Sequence, residues 1–512
     1  MKKKESLINK TVCAIIITAL SKILAFVRSA VCAALFGATA KTDAFYMAIN
    51  IFSIMTGPST SLSTVIVPIR LKILQQESDD IANRFSSALL NLSLLISIIL
   101  AFVLWIMAPW IVKIFAPEFS SDLFKTTVLF VRIFTPLIVI TSIVSFFSGI
   151  LNTHNKFVNS NLIGFALNIG WIIIPLLLAK QIGIYAMIFG YLFGSFLQII
   201  VLLPGLKNLF TYFFDFSWNN NIIIHSLMMC VPIFIGTFSS SISQAIDKAL
   251  ASSLSEGNIS ALSYSSQLIG TINGILVIPI ITTIFTTLSS LAQNNKQIAF
   301  KKLIMKAFSV IFLILSPVSI YCLLYSEKII RFIYFRGAFD QTANYLTSTA
   351  FFYYAIGLVS TALAIVLARG FYALHDTKTP LLINIIGILI NIALSILLVK
   401  PLGISGLTLA TSISSIFTFI FMLYALRKKI GSLGFFEWIS NAKKIFLALF
   451  ISTFFVTLFK TFFARKIIFD LMSGALLYFA IYLLLLIILE EKEITTFTRK
   501  ITDLIKNKCK KQ

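Results

Sequence analysis

The sequence predicts an all-α polytopic membrane protein with about fourteen transmembrane helices. Three observations predict it. Of the 512 residues, 58% are hydrophobic and only 12% are charged, which excludes a string of soluble domains. Apolar runs long enough to cross a bilayer recur along the chain. A repeat relates its two halves, so we expect two six-helix lobes in a pseudo-symmetric V, followed by two C-terminal helices.

The predicted helices follow from the apolar runs, taken in order. The connections between them are short and polar, with Gly, Pro, Asn and Lys at the breaks. The predicted helix cores are residues 12–36, 43–69, 87–113, 126–150, 159–179, 182–204, 222–249, 260–291, 301–325, 343–368, 380–399, 403–426, 441–463 and 466–489.

An internal repeat sets the domain boundaries. Segment 149–184 contains GILNTHNKFV, LNIG and LLLAKQIGI, and segment 370–404 contains GFYALHDTKTP, INIA and ILLVKPLGI. Because loop polarity is the same in both copies, the halves are related by an axis along the membrane normal, as in alternating-access transporters. The predicted parts are an N-terminal lobe at 1–207, a C-terminal lobe at 208–430, two helices at 431–489 and a basic tail at 490–512.

The net charge of +23 is distributed as expected for a membrane protein. Lys and Arg concentrate in the loops on one side, which predicts that both termini are cytoplasmic. Three basic residues on the other side, Lys328, Arg331 and Arg336, are a local exception. No basic soluble domain is available to bind nucleic acid. The five cysteines are scattered, as expected for free thiols, and the N-terminal segment is expected to be a retained first span.

The sequence predicts a transporter and not an enzyme. It contains no Walker A motif, no carbonyl-filter motif and no hydrolase motif, so neither direct ATP drive nor a channel is expected. His154, His225 and His375 lie at predicted loops or helix ends, which favours capping over metal binding. We expect no cofactor, with coupling to membrane potential, Na⁺ or H⁺ left open.

Two basic residues lie deep in the first predicted helix. Lys22 and Arg28 are about 15 and 24 Å from its start. A charge at that depth costs at least about 2.5 kcal/mol and usually faces a water-filled cavity or a partner. One interpretation is a cationic cavity for an anionic substrate, since ammonium and guanidinium groups match phosphate oxygens. The other is structural: Lys22 snorkels and Arg28 pairs with Asp43.

Other polar residues in the predicted spans have two interpretations each. Arg132 is a cavity residue or an interfacial anchor. Ser63 belongs to a small, polar run, 56–64, which lines the cavity and contacts sugars or permits close helix packing. Asp247 pairs with the adjacent lysine, or forms a monovalent cation site with Asn391 and Thr411.

Four segments carry a resemblance to a known family: SKILAFVRSAVCAALFGATAKTDAFY (21–46), GILNTHNKF, EGNISALSYSSQL (256–268) and GFYALHDTKTP. Through them the sequence resembles the MurJ/MviN family of lipid II flippases, in the multidrug/oligosaccharidyl-lipid/polysaccharide exporter superfamily, and the resemblance covers nearly the whole chain. It implies a bacterial inner-membrane flippase that moves an undecaprenyl-pyrophosphate-linked sugar-peptide outward by alternating access. The headgroup would enter the central cavity and the lipid tail a groove near the last two helices.

The resemblance also implies site residues and reveals departures from the family. Lys22, Arg28 and Asp43 match charged positions of the family, with Lys22 where Arg is usual. An Arg pair of the second helix is replaced by Ile54-Met55. In the eighth helix, Ala-Asp-Arg and a following Glu are replaced by residues that include Gln267, a candidate headgroup contact. The residues that stand in their place are Ser265, Ser266, Gln267 and Gly270.

These departures keep further hypotheses open. The first alternative is a flippase for another undecaprenyl-linked oligosaccharide, of the capsule or O-antigen type. A silent scaffold in a cell-wall complex is another. A multidrug antiporter is disfavoured, because drug-cation sites favour carboxylates. The expected partners are the lipid-linked glycan, membrane lipids and a cell-wall synthesis complex, and the expected state is a monomer.

Overall fold

The chain forms α-helices throughout the part that the structure describes. This structure is a computed structural model that describes residues 2–216, 221–462, 467–491 and 493–495. Over these residues the regular elements are α1 (Lys2–Phe36), α2 (Ala40–Met55), α3 (Gly57–Gln76), α4 (Asp79–Phe115), α5 (Ser121–Thr153), α6 (Phe157–Asn161), α7 (Ile163–Ile182), α8 (Tyr185–Leu206), α9 (Asn221–Ala251), α10 (Asn258–Leu276), α11 (Ile278–Gln293), α12 (Gln297–Tyr334), α13 (Gln341–Ile356), α14 (Leu358–Ala373), α15 (Lys378–Leu402), α16 (Ile404–Ile430), α17 (Phe435–Phe462) and α18 (Ile467–Ile488).

The polytopic helical class is confirmed. Each predicted span overlaps one helix or one broken pair of helices. Within the described residues, 10 helices are long and apolar enough to cross a membrane, and counting the bent pairs α10–α11 and α13–α14 gives up to 12. The α2–α3 pair and α9 cover the second and seventh predicted spans.

Proline accounts for two of the breaks. Pro58 lies in the first turn of α3 and Pro279 in the first turn of α11. Proline has no backbone N–H and clashes with the preceding turn, so the helix before it ends and a new helix begins. The α10–α11 pair bends by 47° at its break.

The described helices divide into two compact units, each with its own core. The first comprises Met1–Thr271, Tyr334–Thr347 and Ile392–Leu407, and the second comprises Ile272–Ile333, Ser348–Asn391 and Thr408–Gln512. The lobe boundaries drawn from the repeat, 1–207 and 208–430, stay predictions.

Edge-on aromatic contacts build the core of the first unit around Trp171. Its ring centroid lies 5.7 Å from that of Phe45 and 4.8 Å from that of Tyr191. Phe134 packs against both partners, at 5.9 Å from Phe45 and 5.7 Å from Tyr191. Such arrangements add about 0.5–1.5 kcal/mol per pair beyond burial. They hold the indole of α7 in a fixed orientation.

Two glycines allow α7 and α8 to touch backbone to backbone. A Cβ atom on Gly170 would lie 2.4 Å from the Cα of Gly194, and one on Gly194 would lie 2.5 Å from the carbonyl oxygen of Leu167. Real Cβ atoms do not approach so closely. Only glycine fits at this helix crossing, a common device in membrane helix packing.

We therefore expect Gly170→Val to lower stability by about 3 kcal/mol, through overpacking of the α7–α8 crossing. The midpoint of thermal unfolding, followed by fluorescence-detected size-exclusion chromatography, measures it. Gly270→Ala is the matched control, because a Cβ there meets nothing within 4 Å. Equal thermal midpoints for Gly170→Val and Gly270→Ala would contradict the close α7–α8 contact at Gly170.

In the second unit, α12 packs against α17 and α18 through tyrosines. The Tyr482 hydroxyl donates to the Leu313 carbonyl at 2.9 Å, and Tyr321 stacks on Tyr325 with ring centroids 4.8 Å apart. Lys328 of α12 forms an ion pair with Asp470 at the start of α18. These contacts tie both ends of α18 to α12, whose backbone is kinked at Tyr325 (φ −116°, ψ 16°).

Candidate functional site

Arg28 is the centre of the candidate site. It lies twelve residues into the apolar span Ile16–Phe36, about 18 Å along it and near its middle. Its Nη1 donates to Asn168 Oδ1 at 3.0 Å and its Nη2 to Gln267 Oε1 at 3.3 Å. Its guanidinium carbon lies 4.1 Å from the centroid of the Trp171 ring.

All three partners of Arg28 are neutral. Among the described residues, ion pairs join Lys328 to Asp470 and Lys429 to Asp376, and none includes Arg28. The guanidinium is thus oriented by amides and an indole while keeping its full positive charge. A cation held this way in a low-dielectric span attracts an anion strongly and can donate hydrogen bonds to it.

Asn168 fixes the direction of one of those contacts. Its Nδ2 donates to the carbonyl of Gly164 at 2.7 Å and to that of Ser21 at 3.3 Å, so Oδ1 is left to face Arg28. Asn168 is buried. Asn168 was not among the residues predicted from the sequence, although it lies in the segment LNIG, which the repeat matches with the segment INIA that contains Asn391. The matching segments were the signal that could have identified it.

Gln267 and Arg28 are brought together from positions 239 residues apart. Both residues were predicted from the sequence to bind the substrate, and the structure shows that their side chains are in direct contact. The family resemblance places an arginine at position 267. Here the glutamine supplies an acceptor for Arg28 where the family supplies a second cation.

Lys22 lies on a different part of α1. It is half-buried and makes no hydrogen bond or ion pair with the residues that the structure describes. Six residues separate it from Arg28, which corresponds to about 240° around a helix of 3.6 residues per turn. The two charges therefore face different directions.

Asp43 has a role that the sequence did not show. Its carboxylate accepts hydrogen bonds from the backbone N–H of Gly257 at 2.7 Å, the N–H of Ser260 at 2.7 Å and the Ser260 hydroxyl at 2.6 Å. These donors open α10, whose N-terminal N–H groups otherwise have no partner and favour a negative charge. Asp43 is therefore a cap supplied to α10 from α2.

The Arg28–Asp43 pair, one of the two interpretations of the sequence, does not form in this structure. Both oxygens of Asp43 are used at the start of α10, and Arg28 is used at Asn168 and Gln267. Asp43 is 4% exposed and has no open face toward a ligand.

Interlocked turns close the end of the first unit next to Asp43. Gly257 (φ +89°) and Gly337 (φ +59°) adopt left-handed backbone conformations that favour glycine. A Cβ on Gly257 would lie 2.6 Å from the carbonyl oxygen of Ala38, and one on Gly337 would lie 2.2 Å from that of Ala34. The Ala338 N–H also donates to the Ala34 carbonyl at 2.8 Å. The turn after α1 is thus held by both neighbouring turns.

Arg132 contacts neighbours different from those of Arg28. Its Nε donates to the Trp105 carbonyl at 3.3 Å, and its guanidinium carbon lies 5.0 Å from the Trp105 ring centroid. Trp105 is 49% exposed. This α4–α5 contact at an exposed tryptophan favours the anchor interpretation.

The candidate cation ligands are divided between the two units. In the first unit Asp247 accepts a hydrogen bond from the Ser395 hydroxyl at 2.9 Å. In the second unit Asn391 donates to the Thr411 hydroxyl at 3.2 Å. Their cation role stays a prediction. The side chain of Ser63 lies outside the described residues, so its role stays a prediction too.

The second unit contains an apolar groove between α12 and α18. Its volume is about 600 Å³. The lining residues are almost entirely apolar: Tyr321, Ile329, Phe332, Ile468, Leu471, Met472, Ala475, Leu476, Phe479, Ala480 and Leu483. The lining residues of α18 are spaced three and four residues apart, so one face of this helix lines the groove.

Comparisons with known proteins identify the family. The sequence profile described as lipid II flippase MurJ matches residues 32–482. A lipid II flippase MurJ from Burkholderia cenocepacia is 28% identical over 429 residues, covering 80% of this chain and 82% of that protein. A probable lipid II flippase MurJ from Thermotoga maritima is 28% identical over 423 residues, covering 81% and 85%.

Solved structures agree in fold. A lipid II flippase MurJ in an inward closed conformation superimposes with a TM-score of 0.80 at 25% identity, covering 94% of this chain and 99% of that one. An inward-facing multidrug resistance MATE family transporter of the MOP superfamily has a TM-score of 0.70 at 14% identity, covering 81% and 95%, which shows the shared fold. The profile match spans most of the chain, and the chain belongs to the lipid II flippase MurJ family.

Proposed function

We propose that this protein is a lipid II flippase, which carries an undecaprenyl-pyrophosphate-linked sugar-peptide across the bacterial inner membrane. The observation that carries the proposal is the uncompensated guanidinium of Arg28 in the middle of α1. The family membership and the flippases named among its relatives support it. It is a transporter and not an enzyme.

A pyrophosphate suits Arg28 better than a neutral or cationic substrate does. A guanidinium has five N–H donors in a planar fork that matches phosphate oxygens, and charge-assisted bonds are about twice as strong as neutral ones. Two donors of Arg28 are used by Asn168 and Gln267, and neither partner neutralises it. Lys22 is half-buried on another side of α1, so the pyrophosphate interpretation rests on Arg28.

The groove between α12 and α18 suits the lipid tail. Its α18 wall extends from Ile468 to Leu483, fifteen residues or about 22 Å of helix. Half of a bilayer's hydrocarbon core is only about 15 Å thick. The groove is therefore longer than one leaflet's hydrocarbon layer is thick, which suits part of a long undecaprenyl chain.

Alternating access would require the turns at the end of α1 to separate. In the described structure this end is sealed by Gly257, Gly337 and the capping carboxylate of Asp43. Opening would break the contacts of these turns, which include the hydrogen bond from the Tyr264 hydroxyl to the Gly37 carbonyl at 2.9 Å. With both termini in the cytoplasm, as the loop charges predict, the sealed end faces away from the cytoplasm.

Rescue of flippase-depleted cells tests the function. We expect the wild-type gene to restore growth and to expose lipid II on the outer leaflet, detected by an impermeant lipid II-binding probe. Arg28→Ala, expressed at equal abundance, is the matched control and should fail in both assays. Rescue by neither gene, combined with outward movement of another undecaprenyl-linked oligosaccharide in liposomes, would reject lipid II as the substrate.

A further inference from the structure

Asp470 stands out among the charged residues of the second unit. It lies in the first turn of α18, is 0% exposed and forms an ion pair with Lys328 of α12. Its second oxygen, Oδ1, is buried and has no hydrogen-bond partner among the described residues. Lys328 keeps 27% of its side chain exposed, so the pair adds little stability, but losing Lys328 would leave the buried carboxylate of Asp470 without a compensating charge. Its main effect is to fix the geometry of the two helices.

Two further contacts fix α18 against α12 within the next turn. The Tyr321 hydroxyl donates to the carbonyl of Leu471 at 2.7 Å. A Cβ on Gly474 would lie 2.4 Å from the hydroxyl oxygen of Tyr325, so the glycine makes room for that side chain. Tyr325 is 1% exposed and stacks on Tyr321. One turn of α18 therefore contacts three side chains of α12, through Asp470, Leu471 and Gly474.

Two of these residues also line the apolar groove. Tyr321 and Leu471, joined by the hydrogen bond above, both line it. Ile329, next to Lys328 in the chain, lines it from α12, and Ile468, two residues before Asp470, lines it from α18. Any change in the Lys328–Asp470 distance therefore changes the width of the groove at this end.

We propose that Asp470, acting through Lys328, is a positioning residue that holds α12 and α18 at the separation at which the groove accepts a long polyprenyl chain. The inference rests on the proposed function, because a long prenyl chain is the tail of that substrate. It assigns chain-length selectivity to a charged pair that does not itself touch the chain. The charged and titratable groups around Asp470 are Lys328, Lys460, Tyr321 and Tyr325.

Photolabelling of the full-length protein in phosphatidylethanolamine–phosphatidylglycerol liposomes tests this. The long probe is undecaprenyl phosphate with a diazirine on its terminal isoprene, and the short probe is farnesyl phosphate with the same group. We expect Asp470→Asn to reduce long-probe labelling of the peptide containing Met472 and Leu476 about tenfold, and to leave short-probe labelling unchanged. Asp122→Asn, an exposed aspartate at the start of α5, should label as wild type.

Two additional variants separate positioning from folding. Gly474→Ala forces Tyr325 or α18 to move and should reduce long-probe labelling with Asp470 intact. The exchange of Lys328→Asp with Asp470→Lys restores a pair and should recover part of the labelling. The inference would be overturned if Asp470→Asn lost labelling by both probes in parallel, or if Asp470→Asn and Gly474→Ala kept full labelling by the long probe. It would also be overturned if the long probe did not label the groove of the wild-type protein.

The probes carry no sugar or peptide, so the result is independent of lipid II transport. Labelling that follows Asp470 in a protein that does not flip lipid II would reject the proposed function and keep the inference. If the protein flips lipid II but the Asp470→Asn substitution does not change the labelling, the inference is rejected and the proposed function is kept.

Discussion

Arg28→Ala is expected to reduce lipid II flipping about a hundredfold while leaving the abundance and thermal stability of the protein close to wild type. A charge-assisted hydrogen bond to a substrate is worth about 1.5–3 kcal/mol, and a guanidinium forms two with a pyrophosphate. The folded protein loses only two hydrogen bonds to neutral amides, at 3.0 and 3.3 Å, and one stacking contact. Lipid II exposure in proteoliposomes, measured at equal protein content, gives the ratio.

Gln267→Glu tests the charge of Arg28 without removing its side chain. A carboxylate at the 3.3 Å contact would neutralise the guanidinium in place, so transport should fall nearly as far as in Arg28→Ala. Gln267→Met, which loses the hydrogen bond but adds no charge, should reduce transport much less. Equal activity of the Glu and Met variants would show that the positive charge at Arg28 does not bind the substrate.

The depth of Arg28 could be predicted from the sequence, whereas most of its partners could not. A long apolar run with a basic residue near its middle specifies a membrane-embedded cation by composition alone. The contacts with Asn168 and Gln267 join residues 140 and 239 positions apart, and no local pattern encodes such distances. Gln267 was found only because the family resemblance marked its position.

The contact of Trp171 with Arg28 and the Lys328–Asp470 ion pair could not be predicted from the sequence. A tryptophan in an apolar run is usually lipid-facing or core, so nothing in the sequence distinguishes the one that lies 4.1 Å from Arg28. Lys328 was noticed as a basic exception on the charge-poor side. Its partner Asp470 lies 142 residues later and was not selected, because a single aspartate at a helix start is an ordinary capping residue.

Asp43 illustrates a different limit. Its position in a motif marked it as important, and the deep charge of Arg28 suggested a pairing partner. The start of α10 competes for the same carboxylate and offers three donors in ideal positions. In this structure the start of α10 holds the carboxylate, and that competition between two partners exists only in three dimensions.

We therefore expect Asp43→Ala to differ in kind from Arg28→Ala. The substitution leaves two backbone N–H groups and one hydroxyl at Gly257 and Ser260 without their acceptor, which costs about 3 kcal/mol or more. The thermal midpoint and the cellular abundance should both fall. Asp43→Asn retains one acceptor oxygen and should lie between wild type and Asp43→Ala.

The loss of this cap should also loosen the sealed end of the first unit, and a native cysteine can report it. Cys32 of α1 is 1% exposed and lies two residues before Ala34, whose carbonyl oxygen contacts the Gly337 turn. In Asp43→Ala the population with separated turns should rise, and Cys32 should react faster with an impermeant maleimide, quantified by mass spectrometry of its peptide. Cys13, which is exposed, serves as the internal reference. If transport were abolished while the thermal midpoint and the Cys32 labelling stayed unchanged, Asp43 would be a direct substrate contact. Faster Cys32 labelling together with a lower midpoint would show that Asp43 stabilises the closed end.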